Sequence, residues 1–395
     1  MKLALQYGYG MKDLCKDLLP NMRGSTIILS PRDLLDKQII SYSNEFIALG
    51  GQTLIDPQLY APHSNHKRLT SHSYWPRDFS TSLFSNINAL KNIVDILLEL
   101  NHKAGTCKTI LPGIFCPKVE RTWESIQRQI FTIEKDIDRP TLVTLALSSN
   151  VIQDQSQIDD IINFIAEECD SDGVYLLAEH PNGEYLVSNP IWIINLLHLV
   201  AALKQLNKHV IVGYTNHQML CLSLAMADEI ASGTWMNVRS FSLTKFFESS
   251  DIKRKNIWYY CPQALTEYTP AFLDIAFQEH KLPPFKADET FSSFDYSSIF
   301  FSEARPSSTA FGDNLAFRHY LSCLSVQCDI VSEGRFNERF NKLCDLLLGA
   351  KRFLQFAHSN SITGQMRDFN DYIDVVESAI NTFYRVHGAL LSRIW

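Results

Sequence analysis

The chain lacks any run of about 18 apolar residues, so a membrane-spanning helix is not expected. Its nine cysteines are odd in number and scattered, with no CxxC pair. That excludes a disulfide framework and a zinc ribbon and leaves free thiols of a reducing, cytoplasmic setting. The opening MKLALQYGYGMKDL has no small-residue cleavage site and reads as a buried strand, not a signal peptide. There is no GxGxxG, Walker loop, HExxH or GxSxG, so no cofactor is expected. A net charge of −7 argues against broad, sequence-blind grip on nucleic acid. Local basic exceptions are Lys67–Arg68 and Lys253–Arg254–Lys255.

What is present is alternation. Short β-branched runs at 3–7, 26–30, 52–56, 141–148, 173–179 and 209–214 are separated by helix-length amphipathic segments. Weaker candidates follow at 229–234 and 256–260. Eight strands with intervening helices predict a (β/α)8 TIM-type barrel over residues 1–265. The stretch 61–140 is too long for an ordinary connection and is expected as an insertion or lid after the third strand. It carries helical patterns at 84–100 and 118–137. The almost uniformly apolar 190–206 predicts a helix held between the sheet and another layer. Beyond residue 260 the alternation stops, and helices near 313–330, 334–357 and 366–392 predict a C-terminal helical domain, 266–395. Contact with a second copy or a protein partner would be expected through it.

In such a barrel the residues just past the strand ends share one face. Asp56, closing the apolar TLID before Pro57, is the leading catalytic candidate, as nucleophile, base or ligand. Glu179, at the end of LLAEH, is its expected acid/base partner. The expected substrate-binding set is Tyr7, Arg32, Gln58, Tyr60, His180, Tyr214, Asn216, His217, Trp235, Asn237 and Arg239. Tyr7, Tyr214 and Trp235 would stack on a base, and Arg32 and Arg239 would hold phosphate or developing charge. All are expected around one rim. His63, His66 and His72 lie in a stretch of turn composition, which does not bring an HxxH pair onto one face, so no metal site is expected. Lys67, Arg68, His72, Tyr74, Trp75 and Arg77 could instead make a loop that grips a base or sugar phosphate.

The text VIVGYTNHQMLCLSLAMADEIASGTWMNVRSF, with LIDPQLY around Asp56, resembles the tRNA-guanine transglycosylase superfamily, including its DNA-modifying branch. The resemblance implies a glycosyltransferase barrel that modifies a nucleic-acid base, with Asp56 in the place of the aspartate of the family's DSGGF motif. Departures stand beside it. Ala231 or Ser232 falls where the nucleophilic aspartate belongs, Pro57 and Gln58 replace glycines, and the zinc-binding CxCxxC is missing. The functional expectation is a transglycosylase- or glycosidase-like barrel acting on a nucleobase, nucleotide or nucleic acid. Carboxylates about 5 Å apart would imply a retaining course and a wider gap an inverting one. The alternatives are a metal-assisted hydrolase or lyase using Asp56, Glu179, His180 and His217, or an inactive barrel that binds a base or a partner.

Overall fold

The computed structural model describes residues 1–22, 24–77, 80–248, 256–291 and 295–395. The basic cluster Lys253–Arg254–Lys255 lies outside the described residues. The strands are β1 (Lys2–Gln6), β2 (Thr26–Leu29), β3 (Gln52–Ile55), β4 (Thr109–Ile110), β5 (Phe115–Cys116), β6 (Thr141–Leu147), β7 (Gly173–Ala178), β8 (His209–Val212), β9 (Glu229–Ser232), β10 (Tyr259–Cys261) and β11 (Thr266–Tyr268). Helices α1 (Lys12–Leu18), α2 (Asp36–Ala48), α3 (Thr81–Phe84), α4 (Ile87–Ala104), α5 (Arg121–Glu134), α6 (Ser149–Gln153), α7 (Gln155–Glu168) and α8 (Pro190–Gln205) fall between them. The chain then runs through α9 (Pro270–Gln278), α10 (Asp313–Ser332), α11 (Phe336–Ser359) and α12 (Asn370–Ile394).

The main sheet has the order β3-β2-β1-β9-β8-β7-β6-β4, with β5 also on β6, and every pairing is parallel. Its two ends meet: Cys107 N donates to Thr53 O (3.2 Å) and Phe115 N to Tyr60 O (3.0 Å). Counting β4 and β5 as one interrupted strand, this is a nearly closed eight-stranded barrel. The expected (β/α)8 fold is present, with two corrections to its strands. The fourth strand lies inside the stretch expected as a single insertion, at 109–116. Pro112 and Gly113 break it, and Gly113 passes so close to β6 that a Cβ there would sit 2.8 Å from Thr144 Cβ. The strand expected at 256–260 is not a barrel strand, because β10 pairs antiparallel with β11 in a separate hairpin, Tyr259 opposite Tyr268. The division expected at residue 265 therefore falls inside that hairpin.

All seven residues of β6 are buried, as a strand covered on both faces requires. Helix α8 is covered on its outer side by α12, where the His198 and His387 rings stack at 5.0 Å. Helix α10 lies along the seam between β9 and β1. Its first turn reaches the loop after β9, Arg318 pairs with Asp17 of α1 (2.5 Å), and Ser332 Oγ reaches Met1 O (3.3 Å). Among the described residues, no helix is long and apolar enough to cross a membrane.

Candidate functional site

The strand period of two decides which side chains enter the barrel. On β1 it is Gln6 that points inward, and its Oε1 accepts from Tyr175 Oη of β7 (3.1 Å). Tyr7 points the other way, against Tyr42 and Phe46 of α2 at 6.4 and 6.5 Å, so the expectation that it stacks on a ligand is corrected.

Asp56, just past β3, sits wholly buried on the barrel axis. Its Oδ1 accepts from Tyr60 Oη and from Gln58 N (3.1 Å), and its Oδ2 from Tyr214 Oη (2.8 Å) and Tyr175 Oη (3.2 Å). Tyr175 has one proton to share between Asp56 and Gln6. Burial pushes the Asp56 carboxyl up to about 6, against the pull of those donors. Burial also raises Tyr60, Tyr175 and Tyr214 well above the ordinary phenol value, so they remain donors. Gln58 braces the cage: Nε2 donates to Ser30 Oγ and Tyr214 Oη (both 2.9 Å), and Oε1 accepts from Arg32 N (2.8 Å). Gln58 and Tyr214 both have φ near +55°, the left-handed region that side chains avoid. Strain of order 1–3 kcal/mol per residue at such positions collects at functional sites.

The cage is roofed by the loop after β9. Phe241 meets Tyr60 edge-on at 5.5 Å and Tyr214 at 5.6 Å, and Phe246 meets Tyr60 at 5.0 Å. Glu179, half-buried, faces that loop and not Asp56. Its carboxylate accepts from Leu243 N (3.5 Å) and Ser149 N (3.4 Å). Among the described residues the two carboxylates share no hydrogen-bond partner, so Glu179 stands as an anchor of the roof. His180 is buried beside Trp192, its Nδ1 donating to Glu184 O (3.0 Å), and burial lowers its pKa to about 4.

The remaining residues expected on the rim gather elsewhere. Arg239 is buried against the ring of Tyr320, 3.6 Å from its centroid, and pairs with Glu267 of β11 (3.0 Å). Glu267 also accepts from Arg367 (2.8 Å) and Tyr185 Oη (2.7 Å). Asn216 spends its amide on the carbonyls of Tyr185 (2.7 Å) and Arg239 (3.3 Å). His217 is buried among Tyr185, Tyr260, Tyr320 and Phe369, and burial lowers it to about 4. Trp235 lies half-buried beside Phe317. With its amide oxygen turned toward Arg32, Asn237 accepts from both guanidinium nitrogens (2.6 and 3.1 Å), tying the loops after β2 and β9 together. The single rim is thus corrected to two centres. One is the axial cage of Asp56, Gln58, Tyr60, Tyr175 and Tyr214, and the other is the seam cluster around Arg239 and Glu267.

The loop after β3 turns its aromatic groups inward. Tyr74 is buried and donates to Pro57 O (3.0 Å), and His72 bridges Asp36 (2.5 Å) and Pro31 O (2.7 Å). The base-gripping face expected there is not formed by these groups. Among the described residues His63, His66 and His72 belong to no group of three or more side chains that could hold a metal ion, and His63 adopts φ 64°.

Tyr175, Glu267 and Arg367 were not singled out by the sequence. Tyr175 shares strand parity with Glu179, a usable signal. Glu267 and Arg367 are 100 residues apart and carry none.

No protein-family model matches the chain, and neither does any curated protein. Solved structures similar to it include a type I 3-dehydroquinate dehydratase from Clostridium difficile, at 9% identity and TM-score 0.37, covering 62% of this chain and 88% of that one. A xylose isomerase domain protein from Planctomyces limnophilus is similar at 14% identity and TM-score 0.30, over 53% and 72% of the two chains. A D-psicose 3-epimerase is similar at 10% identity and TM-score 0.34, over 62% and 94%. The barrel assignment rests on the chain's own strand order.

Proposed function

We propose that this barrel is an enzyme in which Asp56 acts as a general acid toward a glycoside of a nucleobase. As the bond from the sugar's anomeric carbon to the base nitrogen breaks, its electron pair stays on the base and Asp56 supplies the proton. Water adds to the anomeric carbon and loses a proton, or an incoming base takes water's place. The observation that carries this reading is the wholly buried carboxyl at the end of β3, raised to about 6 within a cage of three phenols. A group that titrates near neutrality suits proton transfer. The rings of Tyr60, Tyr214, Phe241 and Phe246 favour a flat substrate. Entry requires Phe241 and Phe246 to swing aside.

The test is incubation with nucleosides and with short RNA and DNA, with and without free guanine, read by mass spectrometry for released or exchanged base. Release or exchange is expected with one of these classes. It should rise as pH falls through about 6, because the protonated form is active, and drop about 10²–10⁴-fold in Asp56→Asn. No turnover of any of them, or an unchanged rate in the variant, overturns the reading.

One observation favours a second reading, a binding barrel without turnover. Both Asp56 oxygens already accept two hydrogen bonds each, as a structural buried acid's would. Under it, nucleosides bind with no turnover and Asp56→Asn retains binding.

A further inference from the structure

We infer that the cleft between the loops after β1 and β9 and the first turn of α10 is a second binding site, for a planar heteroaromatic ring with hydrogen-bonding edges, the chemistry of a nucleobase. The inference does not depend on the role of Asp56.

Two adjoining chambers make the cleft. The outer one, about 240 Å³, is bounded by Tyr9, Asp13, Trp235, Asn314 and Phe317. The inner one, about 40 Å³, is bounded by Arg239, Trp258, Glu267 and Arg367. Thr234, Trp235 and Phe317 line both, with the last two rings edge-to-face at 4.7 Å. Pockets for drug-sized ligands run to about 300–1,000 Å³, so the outer chamber suits one ring system.

The observation that points to a ligand is Thr234. It is 4% exposed, it lines both chambers, and its Oγ1 has no hydrogen-bond partner among the described residues. A buried polar group left unpaired costs about 1–3 kcal/mol, which a ligand edge would relieve.

Charge selects among ligands. In the outer chamber Arg318 is matched by Asp17 (2.5 Å), and in the inner one Arg239 and Arg367 share the single carboxylate of Glu267 (3.0 and 2.8 Å). Asp13 is exposed on the outer wall with no ion pair among the described residues. In the outer chamber a phosphate would therefore meet the unmatched carboxylate of Asp13, and a hydrocarbon ring would leave Thr234 unpaired. A neutral ring can stack on Trp235 or Phe317 and give its edge to Thr234 and Asp13, which satisfies both.

The test is titration of the full chain with guanosine, adenosine and uridine, followed by saturation-transfer NMR, with inorganic phosphate as competitor. Saturable binding of at least one nucleoside is expected. Thr234→Val, which keeps the shape and removes the hydroxyl, should weaken it about tenfold, with the melting curve retained. Trp235→Ala should remove the same saturable component, whereas binding at the barrel axis would survive in that variant. The inference is overturned if no nucleoside saturates, if neither cleft variant changes affinity, or if phosphate displaces the nucleoside. Loss of binding in Asp56→Asn alone also overturns it, by moving the ligand to the barrel axis and leaving the proposed reaction standing.

Discussion

Asp56 and Glu267 are both essentially removed from solvent, at 0% and 2% exposure, yet their carboxyls move in opposite directions. Burial alone would raise both. At Asp56 it prevails, because all four donors are neutral, and the group reaches about 6. At Glu267 the charges of Arg367 and Arg239 outweigh it and hold the group at about 2. Burial therefore does not set the direction in which a carboxyl shifts, and the charge of its partners does. A carboxylate clamped by two guanidiniums is locked in one state and serves to join β11 to the loop after β9 and to α12's approach. One ringed by phenols can change state near neutral pH.

The largest effect that can break this contrast is expected from Glu267→Gln. It strands two guanidiniums, one almost wholly buried, and should cost about 3–5 kcal/mol in urea unfolding at pH 7. Adding Arg239→Met should recover part of that loss, since the buried cation is then gone. In the parent protein, a carboxyl lowered on folding contributes stability that is present above its unfolded value of about 4.5 and is lost as pH falls toward about 2. A single variant that loses under about 1 kcal/mol would mean that the clamp is not what joins these elements.

These two centres were unequally legible in the sequence. Most barrel strands are continuous β-branched runs, so their number and order could be read. The fourth could not, because Pro112 and Gly113 split it into two pairs of residues. Asp56 stood out because it ends an apolar strand, and Gln58, Tyr60 and Tyr214 stood out as neighbours of strand ends. Tyr175 is embedded in the apolar GVYLLA, where only parity betrays a side chain aimed at the axis. Arg239 was visible as a cation after a strand, but its partners come from a hairpin and from the turn before α12, and no local pattern couples them. Glu179 and Arg239 were taken to share one rim because position along a strand does not say which loop folds over it.

Asp56→Asn should have the intermediate effect, with a sign opposite to that at Glu267. A carboxyl raised on folding binds its proton more tightly in the native state, so native stability falls as pH climbs from about 3.8 through about 6. Asparagine removes that dependence. The difference between variant and parent in unfolding free energy should thus move in the variant's favour by about 1–3 kcal/mol between pH 4 and 7, the order of a two-unit shift. Parallel denaturant curves across that range measure it. A difference that stays flat would mean that Asp56 is an ordinary carboxylate and would remove the contrast.

The smallest change, Tyr214→Phe, sharpens the comparison most. The ring keeps its place beside Phe241, while Asp56 Oδ2 loses its shortest donor and retains Tyr175. Gln58 Nε2 keeps Ser30 and loses its second acceptor. The cost in stability should be about 1–2 kcal/mol. The more telling readout is the titration of Asp56. Tyr214 is among the donors that pull it down, so its removal should push the group further up, and the pH at which parent and Asp56→Asn curves separate should rise in the Tyr214→Phe background. If that pH stayed put or fell, neutral donors would not be what tunes the carboxyl, and the distinction drawn between phenol cage and guanidinium clamp would lose its physical basis.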